Sequence, residues 1–185
     1  TLYTNAPDRH RLMAVGQQSR TYAAAGNTTK MGTREFVYDG SGRMTQVKVN
    51  GVVEMNYAYN PQGQQVARYI AGQTTVALYD EAGHWIGDYN AAGQPLRQIV
   101  WLGNQPMAAL DGDTINDIQA DHLGTPRAVI DRARNKVIWR WDVMGEDFGA
   151  DAPQEDPDKD GKSYVFDMRF LGQRHDRYTR LCKIG

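Results

Sequence analysis

The stretch Tyr38-Asp39-Gly40-Ser41-Gly42 combines three residue types that favour the end of a strand and a reversal of the chain. Tyrosine is common in strands, and it brings an apolar ring with a hydroxyl that can find a partner. An aspartate side chain caps a turn by accepting backbone N–H groups two residues on. Glycine adopts a positive φ without steric cost. The stretch therefore predicts a strand–turn–strand unit.

This unit recurs along the chain. A tyrosine is followed four residues later by a glycine in five places, and four of the five copies have Asp or Asn directly after the tyrosine, as in Asp39 and Asp80. The pairs are Tyr22 and Gly26, Tyr38 and Gly42, Tyr59 and Gly63, Tyr79 and Gly83, and Tyr89 and Gly93. Successive copies lie too close for strand–helix–strand crossovers, which take about 30 residues. The repeat therefore predicts hairpins.

The segments between the turns are predicted as short strands, and Asn50-Gly51 is typical of a type I′ hairpin turn. The strands are predicted at Met44–Val49, Val52–Tyr59 and Gln65–Ile70, and at residues 74–79, 96–102, 136–142 and 163–171. Within residues 136–142, Val137, Trp139 and Trp141 are expected on one face. We predict an all-β fold, an antiparallel meander that forms an open, curved sheet. A β-sandwich or propeller is the alternative, and the repeated turn favours the meander.

Composition limits the classes of function. The 21 Lys and Arg residues nearly balance 22 Asp and Glu residues, so the charge does not favour nucleic-acid binding. Cys182 is the single cysteine, which excludes an intrachain disulfide. No apolar run reaches the roughly 18 residues of a membrane span. The first residues, Thr1-Leu2-Tyr3-Thr4-Asn5, lack the basic and apolar regions of a signal peptide.

Several motifs resemble those of one family. Tyr38-Asp39-Gly40-Ser41-Gly42-Arg43-Met44 resembles the tyrosine-aspartate (YD) repeat of RHS and teneurin-type proteins. Asp121-His122-Leu123-Gly124-Thr125-Pro126-Arg127 resembles an element near the end of bacterial RHS cores, and Trp139-Arg140-Trp141-Asp142, Phe148-Gly149 and Met168-Arg169-Phe170-Leu171-Gly172-Gln173 follow in the family's order. On this basis residues 1–120 are interpreted as a YD-repeat meander. Residues 121–185 are interpreted as the C-terminal element of the core, with an acidic loop at 150–163.

The resemblance implies a structural segment of a β-shell that encloses a polymorphic toxin. It implies a secreted or cell-surface protein whose partners are the rest of the shell or the toxin cargo. Because a slice of a sheet leaves unpaired edges, we also expect self-association. After Asp176 the sequence departs from the family pattern and lacks the Asp-Pro-x-Gly self-cleavage motif, so no catalytic residue is assigned. The alternative is a module that binds carbohydrate through an aromatic sheet face. A small hydrolase or toxin is the weakest interpretation.

The acidic loop holds the best candidate metal ligands. Asp156, Asp158 and Asp160 alternate along Asp156-Pro157-Asp158-Lys159-Asp160-Gly161, the pattern of the first half of a calcium loop. The alternative is a solvated loop that joins two strands.

His122 and the four tryptophans have two interpretations each. The neighbouring Asp121 and His122 could suggest a general base, but a turn role is favoured because they lie inside the family motif. Trp85, Trp101, Trp139 and Trp141 could stack on sugars, although packing in the core is favoured.

Overall fold

The computed structural model describes residues 3–7, 11–142, 152–170, 173–179 and 181–183. Fifteen strands follow one another in chain order in an antiparallel sheet that does not close on itself. Two further strands form a separate hairpin. The predicted all-β antiparallel meander is therefore confirmed.

The strand bounds agree with the sequence pattern over most of the chain. They are β1 (Tyr3–Asn5), β2 (Leu12–Val15), β3 (Gln18–Tyr22), β4 (Thr28–Met31), β5 (Arg34–Tyr38), β6 (Met44–Val49), β7 (Val52–Tyr59), β8 (Gln65–Ile70), β9 (Gln73–Tyr79), β10 (Trp85–Asn90), β11 (Pro95–Leu102), β12 (Gln105–Asp111), β13 (Thr114–Ala120), β14 (Pro126–Asp131), β15 (Lys136–Arg140), β16 (Arg174–Asp176) and β17 (Leu181–Lys183).

Two kinds of turn connect most of the strands. The tight turn between β6 and β7 has φ of 51° at Asn50 and 81° at Gly51, which is the type I′ geometry predicted from this dipeptide. The other kind is a three-residue loop that ends in a glycine such as Gly42, at φ 78°. The two kinds alternate from β3 to β10, and loops of the second kind then follow both β9 and β10. The repeat in the sequence is thus a repeat of one loop geometry.

The chain divides into two compact units, Thr1–Thr74 (unit 1) and Thr75–Gly185 (unit 2). The boundary at residue 120 rests on the family motifs and stays a prediction. The buried core residues of unit 1 are Met31, Phe36, Met44, Val47, Met55 and Tyr57. Those of unit 2, apart from Ala108, form one cluster of Ala77, Trp85, Ile99, Ala109, Ile118, Val129, Ile138, Trp139, Trp141, Phe166 and Met168.

Two predictions about strands are wrong. Residues 163–170 contain no strand, and Met168 forms an isolated bridge with Arg174. The side chains of Phe166 and Met168 pack into the unit 2 core, so the alternation reflects contact with a sheet face and not pairing at its edge. Residue 171 lies outside the described residues.

In β15 the strict alternation of faces fails at Ile138. Trp139 pairs with Val129 and Val137 pairs with Ile130, so Ile138 is an extra residue in a bulge. The bulge moves Val137 off the face that carries the buried Trp139.

Candidate functional site

The repeated loop, which we call the clamped turn, is held by its own first side chain. The Gly42 N–H donates to the Asp39 carbonyl at 3.0 Å, and the Asp39 N–H donates to the Arg43 carbonyl at 2.9 Å. Asp39 Oδ1 also accepts the N–H groups of Ser41 and Arg43, both at 2.9 Å. The same two backbone bonds recur in the loops of Asn60 and Gly63, Asp80 and Gly83, Asn90 and Gly93, and Asp121 and Gly124.

The residue after the glycine, here called the clamp residue, completes the turn. Arg43 Nε donates to Asp39 Oδ2 at 2.9 Å, and His84 Nδ1 lies 2.9 Å from Asp80 Oδ2. The Arg43 N–H and guanidinium hold the pKa of Asp39 below its usual value. The clamp residues were not predicted as functional positions from the sequence.

Two clamped turns use a neutral pair. Asn60 Nδ2 donates to Gln64 Oε1 at 2.7 Å, and Asn90 Nδ2 donates to Gln94 Oε1 at 3.2 Å. An aspartate is thus matched with arginine or histidine, and an asparagine with glutamine. This matching is visible in the sequence once the copies are aligned on their glycines.

The turn of the family motif is a variant. Asp121 Oδ1 accepts the N–H groups of Leu123 and Thr125, and Asp121 Oδ2 accepts two N–H groups of Arg127, at 3.0 and 2.9 Å. The clamp side chain is therefore that of Arg127, two residues beyond Thr125, which follows the glycine. Burial alone would raise the pKa of Asp121, but the Thr125 N–H and Arg127 outweigh it and the pKa is lowered.

In the same motif, Gly124 and Pro126 lie in close contact with their surroundings, whereas His122 is exposed. Pro126 is fully buried, and a Cβ added to Gly124 would lie 2.9 Å from the Asn104 carbonyl oxygen. His122 is exposed beside Asp121, whose oxygens are already used by the turn. This arrangement favours the turn interpretation of Asp121 and His122.

Aromatic residues near the ends of β3, β5, β7 and β11 link successive hairpins. The Tyr38 hydroxyl donates to the Thr28 carbonyl, and the Tyr59 hydroxyl to the Met44 carbonyl, both at 2.8 Å. Thr28 and Met44 each follow the clamp position of the preceding turn directly. The Tyr22 hydroxyl donates to the carbonyl of Leu12 in the same way. In unit 2 the indole N–H of Trp101 donates to the Trp85 carbonyl at 3.0 Å and replaces the tyrosine hydroxyl.

The clamp residues also stack on these rings. The guanidinium carbon of Arg43 lies 5.5 Å from the Tyr59 ring centroid, and the His84 ring lies 4.5 Å from that of Trp101 with an interplanar angle of 21°. Arg127 lies 5.3 Å from Trp141. Each of these side chains therefore holds its own turn and contacts an aromatic residue further along the chain.

Two predicted repeat tyrosines have other contacts. Tyr79 packs against the unit 2 core, and the Tyr89 hydroxyl accepts a hydrogen bond from Gln98 Nε2 at 2.9 Å.

Unit 2 also has a C-terminal segment (residues 152–170 and 173–179) that packs on its sheet. The Trp139 and Phe166 rings meet edge to face, with centroids 5.4 Å apart. Arg97 of β11 donates to Asp111 Oδ1 and to the Val165 carbonyl, both at 2.6 Å. Arg169 of the segment lies 5.5 Å from the Trp139 ring and 5.2 Å from that of Trp141. The segment is thus attached by apolar and arginine–aromatic contacts.

Three of the four tryptophans are buried in unit 2. Trp85, Trp139 and Trp141 are buried, and one face of Trp101 is stacked on His84. These positions favour core packing over the flat exposed platform that a sugar would need.

The acidic loop brings its three aspartates together. Ligand oxygens of Asp156, Asp158 and Asp160 lie within 4.8 Å of one another. Arg134 Nη1 already donates to Asp158 Oδ2 at 3.1 Å and to Asp160 Oδ2 at 2.7 Å. Asp156 accepts the N–H groups of Asp160 and Gly161. A calcium ion would have to displace the Arg134 guanidinium, so calcium binding stays a prediction.

The variant Arg134→Ala gives a direct test of calcium binding. If the loop binds calcium, the ion should raise the melting temperature of Arg134→Ala more than that of the parent protein, because no guanidinium competes. Adding Asp158→Ala should remove the rise. Identical melts with calcium and with chelator in Arg134→Ala would assign the loop to ion pairing with arginine.

Among the described residues, no helix has the length and apolar character that crossing a membrane requires. No protein-family model matches the sequence, and no curated protein matches it significantly.

Proposed function

We propose that this chain is a structural segment of a toxin-enclosing β-shell of the RHS kind, and that it acts by enclosure without catalysis. The carrying observation is the recurrence of the clamped turn, together with aromatic residues that donate to the hairpin before them, as Tyr59 does to Met44. Such a sheet grows by adding hairpins that contact their neighbours, and this is how repeat proteins build large surfaces. The partners in this proposal are further shell strands and a toxin cargo, and the protein works outside the cell that makes it.

The carboxylates of the clamped turns and the buried tryptophans of unit 2 support a structural role. In the clamped turns the carboxylates of Asp39 and Asp121 are occupied by N–H groups of their own turns. In unit 2 the tryptophan-lined face is covered by the C-terminal segment of the same chain. The same burial argues against a carbohydrate-binding face on these tryptophans.

The proposal is tested on the full-length product of the gene that encodes this chain. Electron cryomicroscopy should show a hollow particle with a β-sheet wall, and protease should spare the enclosed cargo until the wall is denatured. A compact particle without a cavity, or a cargo that is cleaved as fast in the native protein as in urea, would refute enclosure. Specific binding on a glycan array would instead support the carbohydrate alternative.

Self-association gives a second test on the chain by itself. The sheet ends at strands β1 and β15, of which β15 is bridged to Gln154 at Arg140, and unpaired strand edges recruit other strands. We expect sedimentation to show dimers or larger species at high concentration. A strict monomer would show that the edges do not pair and would count against the shell segment.

A further inference from the structure

Arg174 of the C-terminal segment enters a pocket on strand β10 made by Trp85 and Asp88. Its Nη1 and Nη2 atoms donate to Asp88 Oδ1 at 3.0 Å and Oδ2 at 2.7 Å. Its guanidinium carbon lies 3.9 Å from the centroid of the Trp85 ring. This is the paired fork-to-carboxylate geometry that arginine makes and lysine cannot, combined with stacking on the best cation–π partner.

The two pocket residues also orient each other. Trp85 Nε1 donates to Asp88 Oδ1 at 3.0 Å, so the carboxylate is held by the indole as well as by Arg174. Trp85 is 5% exposed and Asp88 is 6% exposed, and both belong to the same strand. Asp88 pairs with Ala77 of β9 and Arg97 of β11. The pocket is therefore built on a strand that is paired on both sides, and the register of β10 against β9 shifts between Trp85 and Gly87.

Gly87 keeps this part of β10 close to its neighbour. A Cβ at this position would lie 2.6 Å from the Arg97 carbonyl oxygen, so no larger residue fits without a shift of the backbone. The approach lies next to Asp88, which pairs with Arg97 of β11.

We propose that Trp85 and Asp88 form a guanidinium-binding site, and that Arg174 is its built-in ligand, which fastens the C-terminal segment to unit 2. The ligand class is a planar guanidinium cation, either a small molecule or the side chain of an arginine. Burial lowers the pKa of Arg174, but the charge of Asp88 outweighs this and the pKa is raised, so the group stays a cation in the pocket. This inference does not depend on the shell proposal.

The experiment removes the built-in ligand and supplies a free one. In the full chain, Arg174→Ala leaves Trp85 and Asp88 in place. Methylguanidinium chloride should raise the melting temperature of this variant in a saturable way, because a ligand that binds the folded state stabilises it. It should also shift the indole N–H resonance of Trp85. Methylammonium chloride at the same concentration should do neither, since it lacks the planar fork.

Two controls separate the site from general salt effects. The parent protein should show no saturable rise, because Arg174 fills the pocket, and Arg174→Ala with Asp88→Asn should lose the response. A folded Arg174→Ala variant without the rise, or an equal rise in the parent protein, would overturn the assignment. If Arg174→Ala does not fold, Arg174→Gln is titrated in the same way. An unchanged Trp85 resonance in that variant would also overturn it.

Discussion

Unit 1 and unit 2 share the clamped turn, but they bury different chemistry. Among the described residues, the buried side chains of unit 1 are apolar except for the hydroxyl of Tyr57, and three of the six are methionines. Unit 2 has a tryptophan-rich core and also buries polar or charged residues. These are Asp88, Asn116, Thr125, Arg169, Asp176 and Thr179. A buried charge must keep its partner, whereas an apolar side chain needs only to fill space.

The aromatic partners of two clamp residues differ between the units. Unit 1 pairs Tyr59 with Arg43, and unit 2 pairs Trp101 with His84. Tryptophan brings a larger ring and a hydrogen-bond donor but no acceptor, and it still satisfies the carbonyl of the preceding hairpin. The hydrogen bond to the carbonyl of the preceding hairpin is therefore kept, whereas the aromatic residue that donates it varies.

The largest effect is expected from Asp88→Ala in unit 2. The substitution leaves the guanidinium of Arg174 buried without a carboxylate, which costs about 3–5 kcal/mol. All four tryptophans follow residue 75, so tryptophan fluorescence in a urea titration reports on unit 2. Asp117→Ala is the matched control, because its pair with Arg132 is exposed and contributes at most about 1 kcal/mol. Equal losses would mean that burial of the charge does not distinguish unit 2.

Met55→Ala tests the apolar interior of unit 1. Met55 is 1% exposed, and its truncation should cost about 2–4 kcal/mol through lost burial and a cavity. Hydrogen exchange of the β6 and β7 amides measures the loss within unit 1. Val52→Ala in the same strand is the control, because Val52 is 65% exposed and its truncation should change stability by less than about 0.5 kcal/mol.

Glycine substitutions compare the two units at the turn itself. Gly63 has φ 90° and open space around a Cβ, so Gly63→Ala should cost about 1 kcal/mol from backbone strain. Gly124→Ala adds a contact of 2.9 Å with the Asn104 carbonyl oxygen and should cost more. Melting temperatures rank the two variants. A larger loss of stability from Gly63→Ala than from Gly124→Ala would show that the backbone at Asn104 moves away from the added Cβ at little energetic cost.

Local chemistry explains what the sequence predicted. The tyrosine, Asx and glycine positions of the clamped turn lie within five residues, and the type I′ dipeptide Asn50-Gly51 needs no partner elsewhere. The clamp residues were missed because the residue after the glycine differs between the copies of the repeat. Their role appears when a second copy pairs Asn60 with Gln64.

The errors come from contacts that are distant in sequence. Residues 163–171 alternate like a strand because Phe166 and Met168 face an apolar surface, and alternation does not say whether that surface is a neighbouring strand or a sheet face. The contact of Arg174 with Asp88 joins residues 86 positions apart, and no local pattern marks it. The bulge at Ile138 is likewise set by pairing with β14.

The smallest effect is expected from Asp121→Asn, and it should depend on pH. The substitution keeps an oxygen for the Leu123 and Thr125 N–H groups but removes the charge that faces Arg127. At neutral pH the loss should be at most about 1 kcal/mol, because the pair is partly exposed to solvent. Urea titrations of parent and variant, followed by tryptophan fluorescence across the acid range, measure the difference.

The sign follows from the lowered pKa of Asp121 in the folded protein. A depressed folded pKa stabilises the fold above the unfolded value of about 3.9, and the contribution is lost as pH falls through the folded pKa. The stability difference between parent and Asp121→Asn should therefore be constant above about pH 5 and shrink towards zero in stronger acid. Because the other carboxylates are common to both proteins, their titration cancels in the difference. A difference that stays constant into strong acid would show that the charge of Asp121 does not stabilise this clamped turn.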